Sequence, residues 1–144
     1  MGSEMCIRDR VRANGNQGYG NNGIFIPASP VTTGVCHNAG THFNTSNGVF
    51  TAPIAGKYYL SMDCGISFTS SSATDGWQVT IQKNGSASEI FDMLFAGGEN
   101  GYEDHIRCDA ILKLAASDEI RWHMNGYGGS MSFVGLKFQG YLVG

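Results

Sequence analysis

From Lys57 onward the chain alternates between apolar and polar positions. Tyr58, Leu60, Met62, Cys64, Ile66 and Phe68 share one parity, while Lys57, Tyr59, Ser61, Asp63 and Ser67 share the other. A period of two predicts a half-buried strand. Trp77, Val79 and Ile81 alternate with Gln78, Thr80 and Gln82, and Asn84-Gly85 follows. That dipeptide suits a two-residue hairpin turn, because both residues accept positive φ. Ile90 to Ala96 is the returning strand. Ile106, Cys108, Ala110, Leu112 and Leu114 alternate with His105, Arg107, Asp109, Ile111 and Lys113. Ala115 to Asp118 turns the chain, and Ile120, Trp122 and Met124 resume the alternation. Met131 to Val143 is the last strand-like run. Upstream, residues 11–23 are rich in Gly and Asn, which marks turns around one short strand. Ile24-Phe25-Ile26 stops at Pro27, and Pro27 and Pro30 confine this stretch to an edge strand or a loop.

No segment reads as a helix. Residues 106–119 contain good helix formers, yet their alternation favours a strand. Several short strands divided by Gly, Asn and Ser turns describe an all-β sandwich or barrel. The expected core is Tyr58, Leu60, Met62, Val79, Ile81, Leu112, Leu114, Ile120 and Trp122. Cys64 and Cys108 fall on the same inward parity, where a free cysteine behaves as a small apolar residue. They can pair only if their strands are neighbours.

The 144 residues make one domain, with 42% hydrophobic residues, enough for a core without a metal or disulfide staple. Charged residues are sparse at 15%, and the net charge of -3 gives no basic field for nucleic acid. No apolar run has the length of a membrane span.

Residues 1–10, MGSEMCIRDR, resemble the translation of a transposase sequencing adapter, in which GGC TCG GAG ATG TGT ATA AGA GAC encodes Gly2 to Asp9. The resemblance implies shotgun environmental DNA, an artefactual segment with no fold, and a natural chain read from Val11 within a longer protein. Cys6 then drops out. Cys36, Cys64 and Cys108 remain, and an odd count without C-x-x-C spacing argues against a disulfide framework or a zinc site.

Gly48-Val49-Phe50-Thr51-Ala52-Pro53-Ile54-Ala55-Gly56-Lys57-Tyr58-Tyr59-Leu60 closely resembles the G-x-F-T-A-P-x-A-G turn and following strand of the globular C1q domain. Lys83-Asn84-Gly85 resembles that family's K-N-G hairpin. Leu112 to Ile120 resembles its L-x-L-x-x-G-D-x-V segment, with Ser117 in place of the glycine. Phe138-Gln139-Gly140-Tyr141-Leu142 matches its closing F-x-G-[FY]-L strand. The four motifs keep the family's order over residues 11–144. Ser117 is compatible with a type I turn, so a positive φ is not expected there.

The resemblance implies a ten-stranded jelly-roll sandwich of the C1q/TNF-like kind, assembled as a homotrimer. It implies a non-enzymatic module, at the C-terminal end of a larger extracellular or virion surface protein, that binds a protein or glycan on a cell surface. By the same analogy Tyr59 and Tyr141, on outward parity, are candidates for the threefold interface. Aromatics are enriched in interface cores. Asp75, Glu99, Asn100, Tyr102, Asn125 and Tyr127, in three loops rich in Gly, Ser or Asn, are candidate ligand contacts. The rivals are a structural fibre tip with no ligand and a sugar-active jelly-roll enzyme working through Glu99, Glu103 and Asp104.

No cofactor is expected. Glu99 to Asp104 supply the hard oxygen ligands that calcium prefers, without the order of an EF-hand loop. His37, His42, His105 and His123 lack metal-ligand spacing. His105, Arg107 and Asp109 share one face, as a partner patch or as cross-strand pairs. Neither a nucleophile elbow nor a Cys/His pairing is visible. Asn44-Thr45-Ser46 and Asn84-Gly85-Ser86 both fit the N-glycosylation pattern, which is common by chance and carries no meaning in the bacterial or viral host expected here.

Overall fold

The computed structural model describes residues 8–13, 16–19, 22–24, 30–31, 37–38, 41–69, 76–96, 103–126 and 130–143. Among these residues none is helical. They form β1 (Arg8–Ala13), β2 (Asn16–Tyr19), β3 (Asn22–Ile24), β4 (Pro30–Val31), β5 (His37–Asn38), β6 (Phe43–Asn44) and β7 (Val49–Thr51). The longer strands follow: β8 (Gly56–Thr69), β9 (Gly76–Lys83), β10 (Ser86–Ala96), β11 (Glu103–Leu114), β12 (Glu119–Gly126) and β13 (Ser130–Leu142). The described residues thus fall into thirteen strand segments, against an expected ten strands. The excess lies upstream of Asn44, in pieces as short as two residues.

Two antiparallel sheets result. The first has the order β11-β8-β13-β1-β4, with β2 also on β13 and β5 on β1. The second has the order β10-β9-β12-β7-β6, with β3 on β12. Pro30 begins β4 at the end of the first order, where a strand that lacks one N–H is tolerated.

Arg8, Asp9 and Arg10 of the adapter-like stretch are among the described residues. They lie in β1, in register with Tyr141, Gly140 and Gln139 of β13. Ladder hydrogen bonds use backbone groups alone, so an extended chain of almost any sequence can complete a sheet edge.

All nine expected core residues are buried, and Phe43, Phe50 and Phe138 join them. Phe138 of the first sheet is the hub between layers. Its ring stacks on Phe43 at 4.2 Å and meets Trp122 edge-on at 4.8 Å, both from the second sheet. The buried Tyr58 hydroxyl donates to the Ile54 carbonyl at 2.7 Å, so the turn before β8 satisfies the strand's one inward polar group. Gly140 is packed so closely that a Cβ there would lie 3.1 Å from Leu60 and 3.3 Å from Phe138. That explains the glycine of the closing motif.

A bulge interrupts β13 between Val134 and Lys137. Gly135 adopts φ +65°, the left-handed conformation that a bulge of this kind asks of its first residue. The extra residue turns Leu136 into the core and leaves Lys137 opposite Asp63 on the outer face.

Candidate association face and loop end

The outer face of β11, β8 and β13 is laid out in rows by the register. Ile111, Tyr59 and Tyr141 stand directly opposite one another across the three strands. The two tyrosine rings pack with centroids 5.0 Å apart and planes 39° apart. Ile111 is 65% exposed, and Val143 nearby in the chain's last turn of sequence is also exposed. Among the described residues the Ile111 end of this row is open to solvent, and an apolar row on an outward face marks a surface for association.

The next row is polar. Asp109, Ser61 and Gln139 are in register, and Ser61 is buried. Arg107 reaches along its own strand. Its Nη2 donates to Tyr59 Oη at 3.0 Å and its Nε to Asp109 Oδ1 at 3.3 Å. These contacts fix the Tyr59 side chain from one edge while Tyr141 fixes it from the ring side. In the third row Asp63 Oδ1 accepts from Lys137 Nζ at 3.2 Å and lies 3.2 Å from His105 Nε2. His105, Arg107 and Asp109 are therefore members of paired clusters, as the cross-strand alternative had it.

Sequence reasoning placed Tyr59 and Tyr141 on this face but passed over Ile111, Asp63 and Lys137. Ile111 carried a signal, since it is a large apolar residue on the polar parity of its run. Lys137 carried none, because the bulge at Gly135 shifts the parity of β13.

Cys64 and Cys108 are buried and free. Their strands are neighbours, yet Cys64 faces Ile106 and Cys108 faces Met62. The two are diagonal rather than opposite, a spacing wider than a disulfide bridges. Burial pushes both thiols up to about 12, with Asp63 adding to the effect at Cys64, so neither is a nucleophile.

At one end of the sandwich three turns meet at Asp118. Its carboxylate receives Lys83 Nζ at 2.6 Å, Asn84 Nδ2 at 2.8 Å and the Ala115 N–H at 2.7 Å. Asn84 Oδ1 in turn accepts the Glu119 N–H at 2.8 Å. The Asp118 carbonyl accepts the Ala52 N–H, and the Ala52 carbonyl accepts the Ser117 N–H. Hydrogen bonds from Lys83, Asn84 and Ala115 hold the Asp118 carboxyl down at about 2. Ser117 has φ +70°, contrary to the expectation for serine, because the bond to Ala52 and the Asp118 geometry require the conformation that glycine has in the family motif.

The opposite end carries the loops. In the first sheet Thr69 pairs with Ser130, and Glu103 with Ser67; in the second, Gly76 pairs with Ala96, and Gly126 with Trp77. Residues 127–129 join β12 to β13 and so bring these two sets of strand ends to the same end of the sandwich. Asn125 lies in β12 next to its last residue. Asp75, Glu99, Asn100, Tyr102 and Tyr127 fall outside the described residues, as do most of the acidic stretch considered for calcium. Among the described residues no group of three or more His, Cys, Asp or Glu is arranged to hold a metal. Among the described residues no helix is long and apolar enough to cross a membrane.

These features can be compared with known proteins. The C1q domain family matches residues 28–143. The globular domain of zebrafish complement 1qA is similar in structure, with a TM-score of 0.67 at 14% identity, covering 96% of this chain and 98% of that one. The Eiger TNF of S. frugiperda is similar with a TM-score of 0.64 at 10% identity, covering 96% and 93%. No curated protein matches the sequence. The chain belongs to the C1q domain family, within the wider C1q and TNF-like fold. Domains of this family are typically extracellular, trimerising and non-enzymatic.

Proposed function

We propose that this chain is a homotrimeric binding module at the end of a larger protein on the outside of a cell or virion. One observation carries the reading. A single sheet presents an outward row of large apolar and aromatic side chains, Ile111, Tyr59 and Tyr141, with Ile111 exposed among the described residues. Three copies that turn this face toward a common axis bury three such rows together. Tyr59 and Tyr141 are the interface aromatics, and the ionic rows of Arg107, Asp109, Asp63 and Lys137 set the register between copies. Rows of opposite charge penalise mismatched docking more than they add affinity.

In such a trimer the three loop ends lie together. Asn125, near the end of β12, and Asp75, Glu99, Asn100, Tyr102 and Tyr127, in segments of sequence between strands that end there, are the proposed contacts to a protein or glycan. β1 reaches Tyr141 at the other end, so any chain preceding it approaches from the side away from the loops. Threefold repetition then raises weak single contacts to useful avidity.

A glycan array and a cell-adhesion assay on the isolated domain test the ligand half. Binding that is lost on replacing Tyr102 or Tyr127 with alanine, while the mass in solution is unchanged, supports it. Binding to nothing in either assay removes it and leaves a structural tip.

A further inference from the structure

We propose that Asn44 is an acceptor site for an N-linked glycan and that Asn84, in the second sequence of the same pattern, is not. The proposal rests on the extracellular placement above and on passage through a cell that supplies a lipid-linked oligosaccharide and its transferase, contrary to the bacterial or viral host expected from the sequence. The pattern N-x-[ST] occurs at Asn44-Thr45-Ser46 and at Asn84-Gly85-Ser86, and the structure separates the two. Asn44 and Ser46 are exposed. The Ser46 hydroxyl donates to Asn44 Oδ1 at 2.6 Å and the Ser46 N–H donates to the same oxygen at 2.9 Å. The acceptor amide and the hydroxyl that the transfer chemistry needs are thus side by side. Among the described residues both bonds shown for the Asn44 amide are to its oxygen.

Asn84 has both amide atoms in use. Its nitrogen donates to Asp118 and its oxygen accepts from the Glu119 backbone. A sugar on that nitrogen would sit between the hairpin and Asp118, where Lys83 and Ala115 already converge. A chain modified there cannot close the three-turn junction.

Position also favours Asn44. It lies in β6, the edge of the second sheet, whereas the association face belongs to the first. A bulky polar group on β6 leaves the apolar row free to meet other copies. It also shields an edge strand from unwanted pairing.

The modification is a group transfer from a lipid-linked oligosaccharide. The Asn44 amide nitrogen bonds to the anomeric carbon of the first sugar. The bond from that carbon to the lipid pyrophosphate breaks and its electron pair leaves with the pyrophosphate. The amide proton passes to a base of the transferase.

The test is expression of the full chain behind a secretory leader in eukaryotic cells, followed by glycosidase digestion and peptide mass spectrometry. One removable glycan is expected, located at Asn44. It disappears in Asn44→Gln and persists in Ser86→Ala, which removes the second sequence and keeps the Asn84 amide. If a variant is not secreted, cell-free translation with microsomes gives the same readout as a mobility shift before export. No shift from the wild-type chain, or a shift that survives Asn44→Gln, overturns the proposal. Sedimentation of the glycosylated protein is a separate readout. A glycosylated monomer would count against the trimer and leave the glycan assignment standing.

Discussion

Asp118 and Asn84, 34 residues apart, are joined by a 2.8 Å hydrogen bond from Nδ2 to Oδ1. Three sequence motifs that look independent in the chain meet at this contact: the T-A-P turn through Ala52, the K-N-G hairpin through Lys83 and Asn84, and the S-D turn through Ser117 and Asp118. The junction, rather than any single turn, explains why these residue types stand together. A side chain that accepts three donors has to be a carboxylate, and the hairpin residue that both donates and accepts has to be an amide.

Removing that carboxylate strips partners from Ala115, Asn84 and Lys83 together. Asp118→Ala is expected to cost about 2–4 kcal/mol in urea unfolding, the range for leaving such groups unpaired. A cost below about 0.5 kcal/mol, the level of an ordinary surface substitution, would contradict the junction.

The same group sets an acid limit. Its folded value of about 2 lies below the usual value for aspartate of about 3.9. The stabilisation it supplies is therefore complete above about pH 4 and is lost as pH falls from there through about 2. Thermal unfolding from pH 5 to pH 2 is expected to show this decline in the wild type and a weaker one in Asp118→Asn. Parallel curves would mean that other carboxylates dominate.

Ser117 is held at φ +70°, where a side chain costs about 1–2 kcal/mol relative to glycine. Ser117→Gly is expected to raise stability by about 0.5–1 kcal/mol, after the added freedom of the unfolded chain is subtracted. Loss of stability on this change would show that the serine is not strained.

Much of this architecture was legible in the chain. Alternation placed Tyr58, Leu60, Met62, Val79, Ile81 and Trp122 inside, because a period of two fixes which face meets the core. Pro30 begins β4 at the end of the first sheet's order, as suits a residue without a donor, while Phe25 to Ser29 lie outside the described residues. Less legible were features that depend on two distant segments. The bulge at Gly135 reverses the parity of β13, so Lys137 could not be assigned a face. The φ of Ser117 is imposed by Ala52 and Asp118 together, against the local preference of serine. The exclusion of a Cys64–Cys108 bridge depends on a two-residue offset in register, which no spacing in the sequence reveals.

Both core thiols are buried and held protonated. In a variant with Cys6 and Cys36 changed to serine, Cys64 and Cys108 are expected to resist a thiol reagent at pH 8 in the native state. Both should react once the chain is unfolded. Fast native reaction of either, or two missing thiols in the unfolded chain, would contradict their placement.

Tyr59 lies at the centre of the outward apolar row, between Ile111 and Tyr141. A carboxylate there would bring three like charges together at the proposed axis without disturbing the core behind it. Tyr59→Asp is expected to yield a folded monomer, with far-ultraviolet dichroism like that of the wild type. A variant that keeps the wild-type mass would remove Tyr59 from the interface.

The most direct test is sedimentation of the unmodified chain at micromolar concentration. The expected result is a single species with the mass of three chains. A well-folded single chain at that concentration would contradict the association face and, with it, the function built upon it.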